Sequence, residues 1–268
     1  MRQATTAVAA GVLVVALAGC GWPSPSEGGW EDPLPYAGIA ELPESLGPDG
    51  TTIAVGDPMA TSTVRVFEDP RCPVVEEFER SGGATSLRQL LLDRRVKAEY
   101  TFASSRDRGM GGKGSARAVN ALRAALEVGK FTEYHDVLFG EPPESPEPPE
   151  PPERAEGGPG KEYTTEQLLA LADRVPGLRG DEFDHSVRQM KFRHFVVASQ
   201  KAYERFERPR GPGTPTVVVN GRTVPDGESD EVLFDRIPFE KLLTQAQGTD
   251  REPDVYGPAG PGDGSATL

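Results

Sequence analysis

Four short runs have the character of strands, and in two of them side-chain positions alternate with a period of two. The first is Thr51 to Val55, closed by the turn Gly56-Asp57-Pro58. In the second, Val64 and Val66 alternate with Arg65 and Phe67 until Pro70 ends the run. In the third, Val96, Ala98, Tyr100 and Phe102 alternate with Lys97, Glu99 and Thr101, and the fourth is the β-branched Val217 to Val219. Such runs predict strands, and Asn220-Gly221 after the last predicts a hairpin turn into Arg222 to Val224. Between them the period lengthens to that of a helix. Helices are expected from Pro73 to about Asp93, Lys113 to Val128 with Gly129 as its stop, Phe131 to Phe139, Thr164 to Arg174, Asp181 to Phe206 and Ile237 to Ala246. In the Asp181 helix, Val187, Met190, Val197, Ala198, Ala202 and Phe206 form the expected buried stripe. Strand-helix-strand, a block of helices, then hairpin and helix is an α/β order.

Composition sets the ends apart from this middle. The chain has 268 residues with 26 prolines and 31 glycines, and a net charge of −13 argues against nucleic acid or an anionic membrane surface as an electrostatic partner. Met1 to Gly19, with Arg2 ahead of an apolar run from Ala7 to Ala18, has the pattern of a secretion signal. Its last residues, Leu17-Ala18-Gly19-Cys20, resemble the lipobox of bacterial lipoproteins, which implies cleavage before Cys20 and lipidation of its sulfur. A two-chain lipid holds a protein stably at a membrane. Residues 20–50, including Trp22 and Trp30, read as a Pro/Gly/Ser-rich tether, 51–246 as the folded domain and 247–268 as a disordered tail. Within the domain, the Pro/Glu-rich run 141–160 favours extended polyproline geometry and buries no core.

With Cys20 assigned to lipid, one thiol remains, Cys72. It lies between a strand end and a helix start, with Pro73 at the first helical position and Glu76, Glu77 and Glu79 in the first turns. Cysteines so placed have pKa values lowered from about 8.5 into a range of roughly 3.5 to 7.5. Glu68, Asp69 and Glu76 oppose that effect, with Arg71 the adjacent cation.

The line Val66-Phe67-Glu68-Asp69-Pro70-Arg71-Cys72-Pro73-Val74-Val75 resembles the DsbA-like branch of the thioredoxin superfamily, in which a strand and Phe-x-Asp lead into Cys-Pro-x-Cys. The resemblance extends to Gly213-Thr214-Pro215-Thr216, the valines and Asn220-Gly221, similar to the loop where that family carries a cis proline beside its cysteine, and to a helical insertion at about 113–206. It implies a thioredoxin-like α/β fold with a helical insertion. It also implies Cys72 as the reactive residue, and Pro73, Thr214 and Pro215 as the residues that meet an extended client. The departure is Val75, which stands where the family has its resolving cysteine.

Two functions are open at this level. One is single-cysteine thiol–disulfide exchange or isomerisation on exported proteins or small thiols at the membrane. The other is a redox-inactive client-binding or assembly factor of the cell envelope. No cofactor and no metal site is expected. His135 reads as a helix-packing histidine, since neither His185 nor His194 is spaced to join it in a metal set. Gly109 to Ser115 lacks the residues of a phosphate loop and reads as a mobile loop.

Overall fold

A computed structural model describes residues 33–140, 162–210, 213–224 and 231–245. The signal segment, Cys20, both tryptophans, the Pro/Glu-rich run and the tail lie outside the described residues.

A 3₁₀ turn (Ile39–Glu41) leads into β1 (Glu44–Leu46), β2 (Thr52–Gly56) and β3 (Ser62–Glu68). Helices α1 (Pro73–Glu79) and α2 (Gly82–Leu92) cross over to β4 (Val96–Phe102). The insertion follows as α3 (Arg106–Met110), α4 (Gly114–Glu127), α5 (Phe131–Phe139), α6 (Thr165–Ala172), α7 (Asp181–Arg188) and α8 (Arg193–Arg210). Last come the hairpin β5 (Thr216–Val219) and β6 (Arg222–Val224), then α9 (Glu231–Phe234) and α10 (Arg236–Gln245). The sheet order is β1-β2-β4-β3-β5-β6. β3 runs parallel to β4, as a helical crossover requires, and antiparallel to β5. This is the α/β, thioredoxin-like architecture with a helical insertion that the resemblance implied.

The alternation of β3 sorts its side chains onto two faces. Val64 and Val66 join the main core with Ala98, Phe102, Val217, Val75, Phe78 and the apolar faces of the insertion helices. Phe67 points the other way, into a small second core with Ala103, Tyr203, Phe206 and Val218. There it stacks on Phe206 with ring centroids 4.2 Å apart, and Arg65 pairs with Glu99 across strands at 2.9 Å.

Two expected helices are each broken. Ser81 accepts hydrogen bonds from the N–H groups of Gly83 and Ala84, ending α1 and capping a new helix. Gly83 is required there: a Cβ would lie 1.7 Å from the carbonyl oxygen of Leu233. In the second case Met190 adopts φ 50°, and its N–H bonds Val187 while that of Lys191 reaches back to Ser186, a C-terminal closure of the Schellman type. Buried Asn120 spans this break, donating to the Ser186 carbonyl at 3.1 Å and accepting from Phe192 N–H at 2.9 Å. The interruption resets the helical phase, so α8 buries Phe195, Val196, Ser199, Tyr203 and Phe206 while Val197 is exposed, contrary to the expected stripe.

The expected tether also ends earlier than Gly50. β1 pairs antiparallel with β2, Leu42 is buried, and the Glu44 carboxylate accepts from the N–H groups of Phe131 at 2.8 Å and Thr132 at 3.0 Å. A residue of the segment expected as tether thus satisfies the orphan donors of α5. Glu44→Ala should lower the unfolding free energy by about 1–3 kcal/mol, the size expected for leaving such donors unpaired. A urea titration would show this as a lower midpoint with unchanged slope.

Candidate functional site

Cys72 is the N-cap residue of α1, with its own N–H bonded to the Asp69 carbonyl at 2.8 Å and Pro73 opening the helix. The peptide between Thr214 and Pro215 is cis. Because β3 and β5 are antiparallel, the loop leaving β3 meets the loop entering β5, and Cys72 Sγ lies 3.0 Å from the Thr214 carbonyl oxygen. The resemblance implied that the cysteine lies beside this bend. It is beside it, but only 1% exposed. Around it, Pro73 is exposed, Val74 is 43% exposed, and Thr214 and Pro215 are half-buried. Val75, in the place of a resolving cysteine, is fully buried.

The cation at the sulfur is Arg106, an exposed residue whose guanidinium donates to Sγ at 3.3 Å. Arg71, the neighbour in sequence, turns away. Its buried guanidinium pairs with Asp107 at 3.0 Å and Glu162 at 3.2 Å and donates to the Gly111 carbonyl at 2.7 Å. Sequence adjacency pointed to the wrong arginine. Arg106 follows β4, and only the parallel pairing of β3 with β4 brings it to the thiol.

Asp69 ties these loops together. One carboxylate oxygen accepts from Arg71 N–H at 3.1 Å and the Ser115 hydroxyl at 2.5 Å, the other from Arg106 N–H at 2.9 Å and the Ser105 hydroxyl at 3.3 Å. Burial pushes its carboxyl above the ordinary range, and these donors pull against that. Asp107 in turn accepts from the N–H groups of Ser115 and Ala116 and caps α4. The glycine-rich segment expected as a mobile loop is therefore folded onto the site. At Gly114 a Cβ would lie 2.9 Å from both Arg71 Cδ and Tyr163 N, so the close packing there needs glycine.

Behind the thiol helix lies a second set of polar groups that sequence spacing did not reveal. β3 turns Glu68 inward, α1 supplies Glu79 and α5 supplies His135, with 0%, 6% and 7% of the respective side chains exposed. His135 Nε2 is 2.9 Å from Glu68 Oε2, and Nδ1 is 4.0 Å from Glu79 Oε2. Burial pushes Glu68 up to about 7, and burial reinforced by the Glu68 charge lifts Glu79 well above the carboxylate range. Burial lowers His135. The histidine does pack among aromatic rings, with Tyr100 and Phe139 centroids at 4.9 and 4.8 Å, as a helix-packing role implies. Its polar partners come from elements distant in sequence rather than from His185 or His194.

Comparison with known proteins places this geometry. A thioredoxin family model matches residues 48–237. The fold is similar to that of oxidised BdbD from Bacillus subtilis, at 17% identity and TM-score 0.54, over 80% of this chain and 99% of that one. It is similar to MdbA of Actinomyces oris, at 18% identity and TM-score 0.53, covering 75% and 88%. For MdbA of Corynebacterium diphtheriae the values are 18%, 0.51, 79% and 95%. None of the curated proteins matches the sequence. With the crossover, the insertion and the hairpin all in their expected order, the chain belongs to the thioredoxin family and carries its DsbA-like fold.

Proposed function

We propose that this chain performs thiol–disulfide exchange through Cys72 alone, as an exported protein held at the membrane by a lipidated Cys20. The observation that carries the reading is the 3.0 Å approach of the only described thiol to the Thr214 carbonyl at the cis-proline bend. MdbA of Corynebacterium diphtheriae, of the same fold, is a thiol-disulfide oxidoreductase. Export and anchoring rest on the apolar leader and on Leu17-Ala18-Gly19-Cys20. Among the described residues no helix is long and apolar enough to cross a membrane.

The chemistry follows from Val75. The Cys72 thiolate attacks one sulfur of a client disulfide, forming a mixed disulfide and releasing the other client sulfur as thiolate. Among the described residues no neighbouring thiol displaces Cys72 from that adduct. A client thiolate must attack instead, forming a new client disulfide and returning the Cys72 thiolate. No electrons are gained or lost overall, so isomerisation needs no oxidant or reductant. With a small thiol as the second attacker, the same site caps and uncaps. Pro73, Val74, Thr214 and Pro215 present the part-apolar, part-backbone surface against which an extended client would lie. Arg106 at 3.3 Å stabilises negative charge on the attacking and departing sulfur.

A second reading, a redox-inactive client-binding factor of the envelope, is favoured by the 1% exposure of Cys72 and by Val75. Incubation with oxidised glutathione followed by mass spectrometry separates the two. Exchange predicts one persistent glutathione on the native chain, absent in Cys72→Ser, while Val75→Cys passes on to an intramolecular disulfide and frees the glutathione. A native chain that stays unmodified while the denatured chain reacts would establish the inactive reading.

Arg106→Ala should slow formation of the adduct about tenfold, the equivalent of roughly 1.4 kcal/mol lost from a charge-assisted contact, and Arg106→Lys should recover part of it. Faster modification in Arg106→Ala, measured under the same conditions, would assign the guanidinium to covering the sulfur rather than activating it.

A further inference from the structure

The Glu68, Glu79 and His135 cluster plays no part in the exchange steps. Two features distinguish it from an ordinary group of acidic residues. It is enclosed, within an aromatic shell that includes Tyr100, Phe131 and Phe139. It is also incompletely satisfied: Glu68 Oε1 and Glu79 Oε1 are buried without a hydrogen-bond partner. Two carboxyl groups sharing such an environment must be neutralised by protons or by a cation, because an uncompensated buried charge costs several kcal/mol.

We infer that Glu68, Glu79 and His135 form a binding site for one divalent transition-metal ion, of which zinc is the natural probe. One ligand atom from each residue lies within 4.8 Å of the other two. Bonds of about 2.0–2.2 Å in a tetrahedral arrangement place ligand atoms about 3.4 Å apart, so atoms as far as 4.8 Å apart must draw in by up to about 1.4 Å, within reach of carboxylate rotation. Two carboxylates and an imidazole suit zinc, manganese or iron(II), and the absence of sulfur from the set disfavours copper(I). A cation in place of the protons compensates both carboxylates, and an orphaned oxygen that turns to it gains a partner. A fourth ligand has a route in, because Glu79 and His135 also line a small cleft with Thr132 and Asp136. Arg88, the cation on that cleft, is held by Asp136 at 2.9 Å. The three ligands come from β3, α1 and α5, so the ion would join the sheet to the thiol helix and to the insertion. The site is independent of the thiol chemistry, since Cys72 is not among its ligands.

The test uses the full chain carrying Cys20→Ser and Cys72→Ser, so that no thiol competes. The chain is stripped with chelator and titrated with zinc against a chromophoric chelator, and separately with cobalt(II). One equivalent should bind, cobalt(II) should give d–d bands without a thiolate charge-transfer band, and the melting temperature should rise with zinc. Glu68→Gln and His135→Gln should each weaken binding by more than about tenfold, the loss that follows from removing even a group hydrogen-bonded to a metal ligand. Far-UV circular dichroism of each metal-free variant reports whether it has folded. If His135→Gln does not fold, Glu68→Gln alone decides, since it removes a buried charge and keeps the side-chain volume. Zinc affinity unchanged in the folded variants would overturn the inference, placing the ion on the exposed acidic surface. Absence of stoichiometric binding, with Glu68→Gln more stable than its parent, would overturn it in favour of a proton shared by the two carboxyls.

Discussion

The molecule depends on β3 being hydrogen-bonded along both edges and buried on both faces at its C-terminal end. Such a strand has no freedom of register, because a slip of one residue would drive Phe67 into the main core and Val66 out of it. Strand direction then decides what gathers at its C-terminal end. The parallel neighbour β4 ends at the same side and contributes the loop with Arg106. The antiparallel neighbour β5 begins there and contributes Thr214. Cys72, in the loop that β3 itself feeds, falls between them. The thiol's surroundings are therefore a product of sheet topology before they are a product of any side chain.

The same alternation explains the polar interior. Val64, Val66 and Glu68 share a face, and since the first two are core residues the third is carried inside with them. Asp69 follows where pairing ends and turns to the loops, where four donors meet it. Two adjacent acidic residues thus reach different environments. One lies against a histidine within aromatic rings, and the other is a hydrogen-bonded junction between its own loop and the starts of α3 and α4. Neither acts on Cys72 as a bare surface charge, which is how adjacency in the sequence had counted them.

What the sequence revealed, and what it hid, follows the range of the interactions involved. The central strands, α4, α5 and the Asn220-Gly221 hairpin rest on local periodicity and turn chemistry, and they were legible almost to the residue. The breaks at Ser81 and Met190 were not, because apolar periodicity continues across both while the cause lies in a serine cap and a left-handed backbone stabilised by Asn120. β1 was missed because three residues amid proline, glycine and serine carry no pattern of their own. Its importance comes from Glu44 reaching a helix more than eighty residues away. Arg106 and the partners of His135 were hidden for the same reason: they become neighbours only through pairing between distant segments. The burial of Cys72 was hidden too, since the chain's local order says where a thiol sits but not what lies over it.

The described chain on either side of residues 141–161 is held by arginines. On the departing side Arg80 grips the carbonyls of Phe139 and Gly140, both at 2.9 Å. On the returning side Glu162 is held by Arg71 and Arg117 at 3.2 and 3.0 Å. Two mooring posts fix the exits, and the outer one shares an arginine with the loop that carries the cysteine. The loss of Glu162 would therefore reach the sulfur's surroundings, because it would strip a counter-charge from a guanidinium sealed inside the protein within that loop.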